Sequence, residues 1–121
     1  MNGIWQMTSI KNKEIKRGEV YWVNLDPTVG TEIQKTRPAI VLSNNIQNRT
    51  SSRVVVTPIT SNTAKVFPFE ARINLKKQSA KALTDQVRTG DKSRLGDCIC
   101  MLTKTEMDDI EKAVKLTLSL D

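Results

Sequence analysis

The chain has 121 residues, enough for one compact domain with a single core and too few for two ordinary ones. Its formal charge of +6, only 4% aromatic residues and no histidine favour a phosphate backbone over extensive base stacking, with a merely solvated basic surface as the alternative. No run nears the ~20 apolar residues of a membrane span, and Met1–Ile10 lacks a secretory signal's apolar run and cleavage site, so a soluble, cytoplasmic protein with no membrane partner is expected.

Residues 1–16 read as a polar, flexible arm and 17–121 as the domain. Val20-Tyr-Trp-Val-Asn-Leu25 carries the β-branched and aromatic residues of a strand, with Trp22 expected in the core. Asp26-Pro27 and Gly30 make Asp26–Thr36 a loop, and Pro38–Ser43 follows as a second strand with Arg37 at its entrance. Asn44–Ser52 is polar and turn-like. Arg53–Thr57 is predicted as a third strand ended by Pro58, and Phe67–Ile73 as a fourth because Phe67, Phe69, Ala71 and Ile73 alternate. Leu83–Arg88, after a Lys-rich connector, and Asp97–Leu102 supply the fifth and sixth. Thr103-x-x-Glu106 is a capping-box pattern, and Met107, Ile110, Val114 and Leu118 recur at helical spacing behind it. The fold expected is mainly antiparallel β, a barrel or sandwich, closed by one C-terminal amphipathic helix.

The missing histidine restricts any catalysis to Asp, Glu, Lys, Cys, Thr or Arg, and excludes a histidine pair for RNA cleavage. There is no Walker-type phosphate loop, zincin helix or nucleophile elbow. Cys98 and Cys100 would share one strand face, and a zinc site needs about four ligands that this composition is poorly placed to supply, so both read as reduced, buried thiols. The loop Thr28–Arg37 gathers Glu32, Lys35 and Arg37 just before an apolar strand, which is the composition of a site and equally that of many surface loops.

Several separated motifs together resemble the MazF/PemK ribonucleases. They are Arg17-Gly-Glu-Val-Tyr-Trp-Val-Asn-Leu-Asp-Pro27, Val29-Gly-Thr-Glu32, Arg37-Pro-Ala-Ile-Val-Leu-Ser43 and Val54-Val-Val-Thr-Pro-Ile-Thr-Ser61, then Pro68-Phe69, Leu83-Thr-Asp-Gln-Val-Arg-Thr89, Arg94-Leu-Gly96 and the closing helix. The resemblance implies an SH3-like antiparallel barrel with a C-terminal helix, a homodimer, single-stranded RNA bound across the dimer groove, and cleavage with no metal or other cofactor. It implies as partner a cognate acidic antitoxin, similar to MazE or PemI, that folds along the groove. Carried onto this chain, the family's arginine falls on Arg37, its threonine on Thr60 and its loop acid on Glu32. Thr31, Lys35, Ser61, Asp85, Gln86 and Arg88 fall on RNA-binding positions. Where many relatives follow the loop acid with Gln-Gly-Gly, this chain has Ile33-Gln-Lys35, so the cleavage sequence does not transfer.

Read from residues alone, each assignment has a plainer rival. Arg37 pairs with a carboxylate at the strand entrance, Thr60 is a strand-end turn residue, and Asp85 caps a turn. Lys76, Lys77, Lys81, Lys92 and Arg94 form a solvated basic face. Two other functions use the same features: a gyrase poison of the CcdB kind, disfavoured because the chain ends Leu118-Ser-Leu-Asp121 and not Trp-Gly-Ile, and a non-catalytic RNA-binding module.

Overall fold

The structure, a computed structural model, describes residues 14–25 and 36–121. The readings made on residues 1–13 and 26–35, among them Thr31, Glu32 and Lys35, lie outside the described residues.

Seven strands form one curled antiparallel sheet: β1 (Glu19–Asn24), β2 (Thr36–Val41), β3 (Arg53–Thr60), β4 (Ala71–Leu75), β5 (Gln78–Ala82), β6 (Arg88–Asp91) and β7 (Leu95–Met101). Their order is β4-β5-β3-β2-β1-β7, with β6 on β3. Among the described residues, α-helix α1 (Asn45–Thr50) lies between β2 and β3, and α2 (Lys104–Leu118) follows the last strand. The expected mainly-β antiparallel fold with a C-terminal helix is therefore present, its sheet curled into a half-barrel.

Each face of the sheet carries a buried cluster. On one, Val20, Ile40, Ile59, Ala80 and Ala82 meet Met107, Ile110 and Ala113 of α2; on the other, Tyr21, Val23, Ala39, Val41, Val54 and Val56 fill the curl. Thr103 and Glu106 make both bonds of the capping box, so α2 starts where the sequence places it. Ile110 is fully buried, and burying a side chain of that size is worth about 1.5–3 kcal/mol. Leu118, assigned to the same stripe, is 54% exposed at the helix end.

Gly18 joins the entrance of the domain to two strands, its N–H donating to Val41 O at 2.9 Å and its carbonyl accepting from Leu102 N at 3.0 Å. That position requires a φ of 93°, and a Cβ there would meet Met101 Sδ at 3.1 Å.

Several expectations are corrected. Asn44–Ser52 contains helix α1, capped by the Asn44 side chain, which accepts from Gln47 N at 2.8 Å. Its buried residue is Asn48, held by Ser43 through two bonds of 2.6 and 2.9 Å; a helix fastened by amide bonds and not by an apolar stripe leaves no hydrophobic period to read. β3 runs past Pro58 to Thr60, because Pro58 stands where β3 exchanges its neighbour β6 for β5 and no ladder bond is demanded of its nitrogen. Phe67 and Phe69 do not lie in a strand: Glu70 N bonds back to Phe67 O at 2.9 Å, closing a turn, and β4 begins only at Ala71. The Lys-rich connector is itself a hairpin, with Lys76 and Lys77 at φ 50° and 70° turning β4 into β5. Leu83–Val87 is a bend with a 3-10 turn over Thr84–Gln86, and a strand, β6, starts only at Arg88.

Cys98 and Cys100 do not share a face. Val20 pairs with Cys100 and its neighbour Tyr21 with Cys98, so one residue of β1 spans two of β7. This bulge sends Cys98 to the cluster inside the curl and Cys100 to the one beneath α2, both half-buried free thiols.

Candidate ribonuclease site

Arg37 and Thr60 are positioned by one ladder. β2 and β3 pair Val41 with Val56, Ile40 with Thr57 and Ala39 with Pro58. That pairing stops two residues short of Arg37 and Thr60, which follow Ala39 and Pro58 at the same end of the two strands and, by alternation, on the same face. Arg37 is exposed and Thr60 half-buried. Thr60 Oγ1 accepts the N–H of Asn62 at 3.2 Å, which fixes the hydroxyl through a lone pair and leaves its hydrogen for another acceptor. The row continues over β3 into β5, where Lys81 pairs with Thr60, and into β4, where Arg72 pairs with Lys81.

Lys81 corrects the reading of a wholly solvated basic face. Its side chain is 11% exposed and its Nζ lies 2.9 Å from Glu70 Oε1, with the Glu70 side chain 6% exposed. Lys76 and Lys77, by contrast, are exposed at the hairpin tip.

Trp22 corrects a second expectation. It shares the face of Val20, yet α2 covers only part of that face, and Trp22 is left 46% exposed. With Arg37, Pro38, Ile59, Ser61 and Ile99 it lines an open groove of about 360 Å³. Periodicity could have signalled the face of Trp22 but not how far the helix reaches over it.

The remaining candidates form a second group. Asp85 and Gln86 lie in the 3-10 turn, the first exposed and the second half-buried. The turn is tied to β3 before Thr60, since Leu83 N donates to Pro58 O at 2.8 Å and Thr57 Oγ1 to Leu83 O at 2.7 Å. Arg88 pairs with Val56, further back along β3, and its Nη1 donates to Leu25 O at 2.8 Å; Arg94 reaches Asn24 O at 3.1 Å. Two guanidinium groups therefore hold the end of β1, the strand that leads into the segment bearing Thr31, Glu32 and Lys35. Among the described residues no three Cys, Asp or Glu side chains gather as a metal's ligands would.

A family profile described as "PemK-like, MazF-like toxin of type II toxin-antitoxin system" matches residues 16–118. The chain belongs to the PemK/MazF toxin family. It is 37% identical over 111 residues to endoribonuclease EndoA of Bacillus subtilis, covering 88% of this chain and 96% of that relative. Among solved structures, MazF from Deinococcus radiodurans superposes with a TM-score of 0.79 at 26% identity, covering 90% of this chain and all of that one. An endoribonuclease in complex with its cognate antitoxin from a mycobacterial species does so at 0.75 and 26%, covering 88% and 97%. As a PemK/MazF enzyme the chain is an endoribonuclease of the toxin–antitoxin class.

Proposed function

We propose that this PemK/MazF toxin cuts single-stranded RNA, messenger RNA included, at a specific sequence and without a metal ion, by turning the ribose 2′-hydroxyl on its own phosphodiester. The observation that supports this reading is the β2–β3 register, whose last pair, Ala39 with Pro58, leaves Arg37 and Thr60 two residues further on at the same end of neighbouring strands. Arg37 keeps its charge at any working pH, and its planar guanidinium can grip two phosphate oxygens at once. Thr60, stiff because it is β-branched and fixed through Asn62 N, donates its free hydroxyl hydrogen to the same phosphate. Glu32 is assigned the 2′-hydroxyl proton.

In the reaction the bond from the 2′-oxygen to phosphorus forms while the bond to the 5′-oxygen breaks. One proton leaves the attacking hydroxyl and one is delivered to the leaving oxygen, giving a 2′,3′-cyclic phosphate and a 5′-hydroxyl end. Donors fixed at the developing charge are worth roughly a hundred- to thousand-fold in rate. Thr31, Lys35, Ser61, Asp85, Gln86 and Arg88 are assigned to the RNA flanking the break.

The reading includes a homodimer, a cytoplasmic site of action and a cognate acidic antitoxin similar to MazE or PemI that folds along the groove. The exposed Trp22, which lines the groove, supports a second copy, and the basic charge supports an acidic partner. No helix among the described residues is long and apolar enough to cross a membrane.

The test is cleavage of a long single-stranded RNA in excess EDTA, with end mapping of the products. The expected outcome is discrete cuts ending in cyclic phosphate, abolished when deoxyribose replaces the ribose 5′ to the break. Intact RNA, or equal cutting by Arg37→Ala, counts against the reading.

A further inference from the structure

Lys81 stands in a row of residues that, by charge and register, looks like a track for a phosphate chain: Thr60, Lys81 and Arg72 lie side by side across three strands. Its surroundings assign it other work. The ammonium is turned inward, donating to Glu70 Oε1 at 2.9 Å and to the carbonyl of Lys65 at 2.6 Å. The same Glu70 oxygen accepts from Phe67 N at 3.0 Å, and Glu70 N returns a bond to Phe67 O at 2.9 Å.

These bonds all end on the segment 61–70, which leaves β3 directly after Thr60 and has no strand or helix of its own. At its near end the segment is held by Asn62 N on Thr60 Oγ1. At its far end it is held by Lys81. Between them it presents Lys65, whose Nζ lies 4.7 Å from the centre of the Phe67 ring, and Phe67 stacked on Phe69 at 5.2 Å. A buried ion pair adds little net stability compared with an apolar pair of the same volume, so the contribution of Lys81 and Glu70 is the fixed geometry of this segment.

Resting on the ribonuclease reading above, we propose that Lys81 is a positioning residue of the RNA site: paired with Glu70, it anchors the 61–70 segment beside Thr60 in its binding conformation and contacts no substrate phosphate. Without the anchor, RNA has to order the segment as it binds. That cost falls on ground state and transition state alike, so it appears in KM and not in kcat.

The test is steady-state cleavage of a single-stranded RNA oligonucleotide carrying a site mapped with the wild-type chain, measured over a salt series. Lys81→Met is expected to raise KM about tenfold with kcat within about twofold of wild type. The salt dependence of KM is expected to stay unchanged, whereas loss of a phosphate contact would lower the log–log slope by about one. Because Lys81→Met leaves the Glu70 carboxylate buried and unpaired, the double variant Lys81→Met/Glu70→Gln is measured beside it. It is expected to melt closer to wild type while keeping the raised KM. Hydrogen exchange in both variants is expected to quicken over residues 62–70 and not over β2 and β3.

A reduced salt slope, an unchanged KM, or a collapse of kcat alone would each overturn the anchoring role. If the wild-type chain cuts no RNA, the ribonuclease reading falls and takes this proposal with it. Wild-type cutting that Lys81→Met leaves untouched overturns only the anchor.

Discussion

Arg37 lies near the start of β2 and Thr60 ends β3, so each is held by a strand while its side chain stands at the open end of the sheet. Arg37→Ala is expected to lower the single-turnover cleavage rate roughly a hundred- to thousand-fold. Arg37→Lys recovers only part of this, because an ammonium is a point charge without the planar fork. Thr60→Val keeps the shape and removes the hydroxyl, and is expected to cost a smaller but clear loss in the same assay with the melting temperature little changed. Both positions are proposed from the family resemblance, which falls on the Arg-Pro step and the Pro-Ile-Thr-Ser run; the residues alone left an ion pair and a turn as plainer readings. Lys81 was not legible in the sequence, because composition shows a charge and not whether a carboxylate and a carbonyl have been folded around it.

Elements were legible where a local rule fixes them. The start of α2 is such a case, since the capping box is a matter of four consecutive residues. Burial alone would raise the Glu106 carboxyl, but hydrogen bonds from Asn74 N, Thr103 N and Thr103 Oγ1 outweigh it and hold the group below its ordinary 4.5. A carboxyl depressed on folding adds stability above its unfolded pKa and loses it as pH falls through the lower, folded value. Glu106→Gln is therefore expected to melt below wild type near neutral pH, by about 1 kcal/mol of stability, with the gap closing in a calorimetric series as pH falls through the lowered folded value. The hairpin Lys76–Lys77 is the opposite case. Two lysines with positive φ break the usual residue preference of a tight turn, because the pairing of Leu75 with Gln78 imposes that conformation from outside. Replacing them with Asn-Gly is expected to raise stability by roughly 1–2 kcal/mol in denaturant titration, without changing the fold.

At the scale of the molecule, the half-barrel presents one sheet face that α2 covers incompletely, leaving Trp22 and the groove beside Arg37 open. A bulky apolar side chain in that position suits a second copy of the chain. If the proposed homodimer forms through this face, Trp22→Glu is expected to sediment as a monomer at micromolar concentration where the wild type sediments as a dimer, and to lower cleavage with it. An unchanged sedimentation coefficient would remove this face from the dimer.

By itself the sequence determined the antiparallel β class and the terminal helix with its cap, because alternation and capping are encoded within a few neighbouring residues, and its resemblance to the family singled out Arg37 and Thr60 as candidates. Only the tertiary structure decided that Pro58 stays inside a strand, that a bulge parts Cys98 from Cys100, that Trp22 faces outward and that Lys81 turns inward. Each of these depends on which distant strand, helix or side chain lies alongside, and no local pattern carries that information.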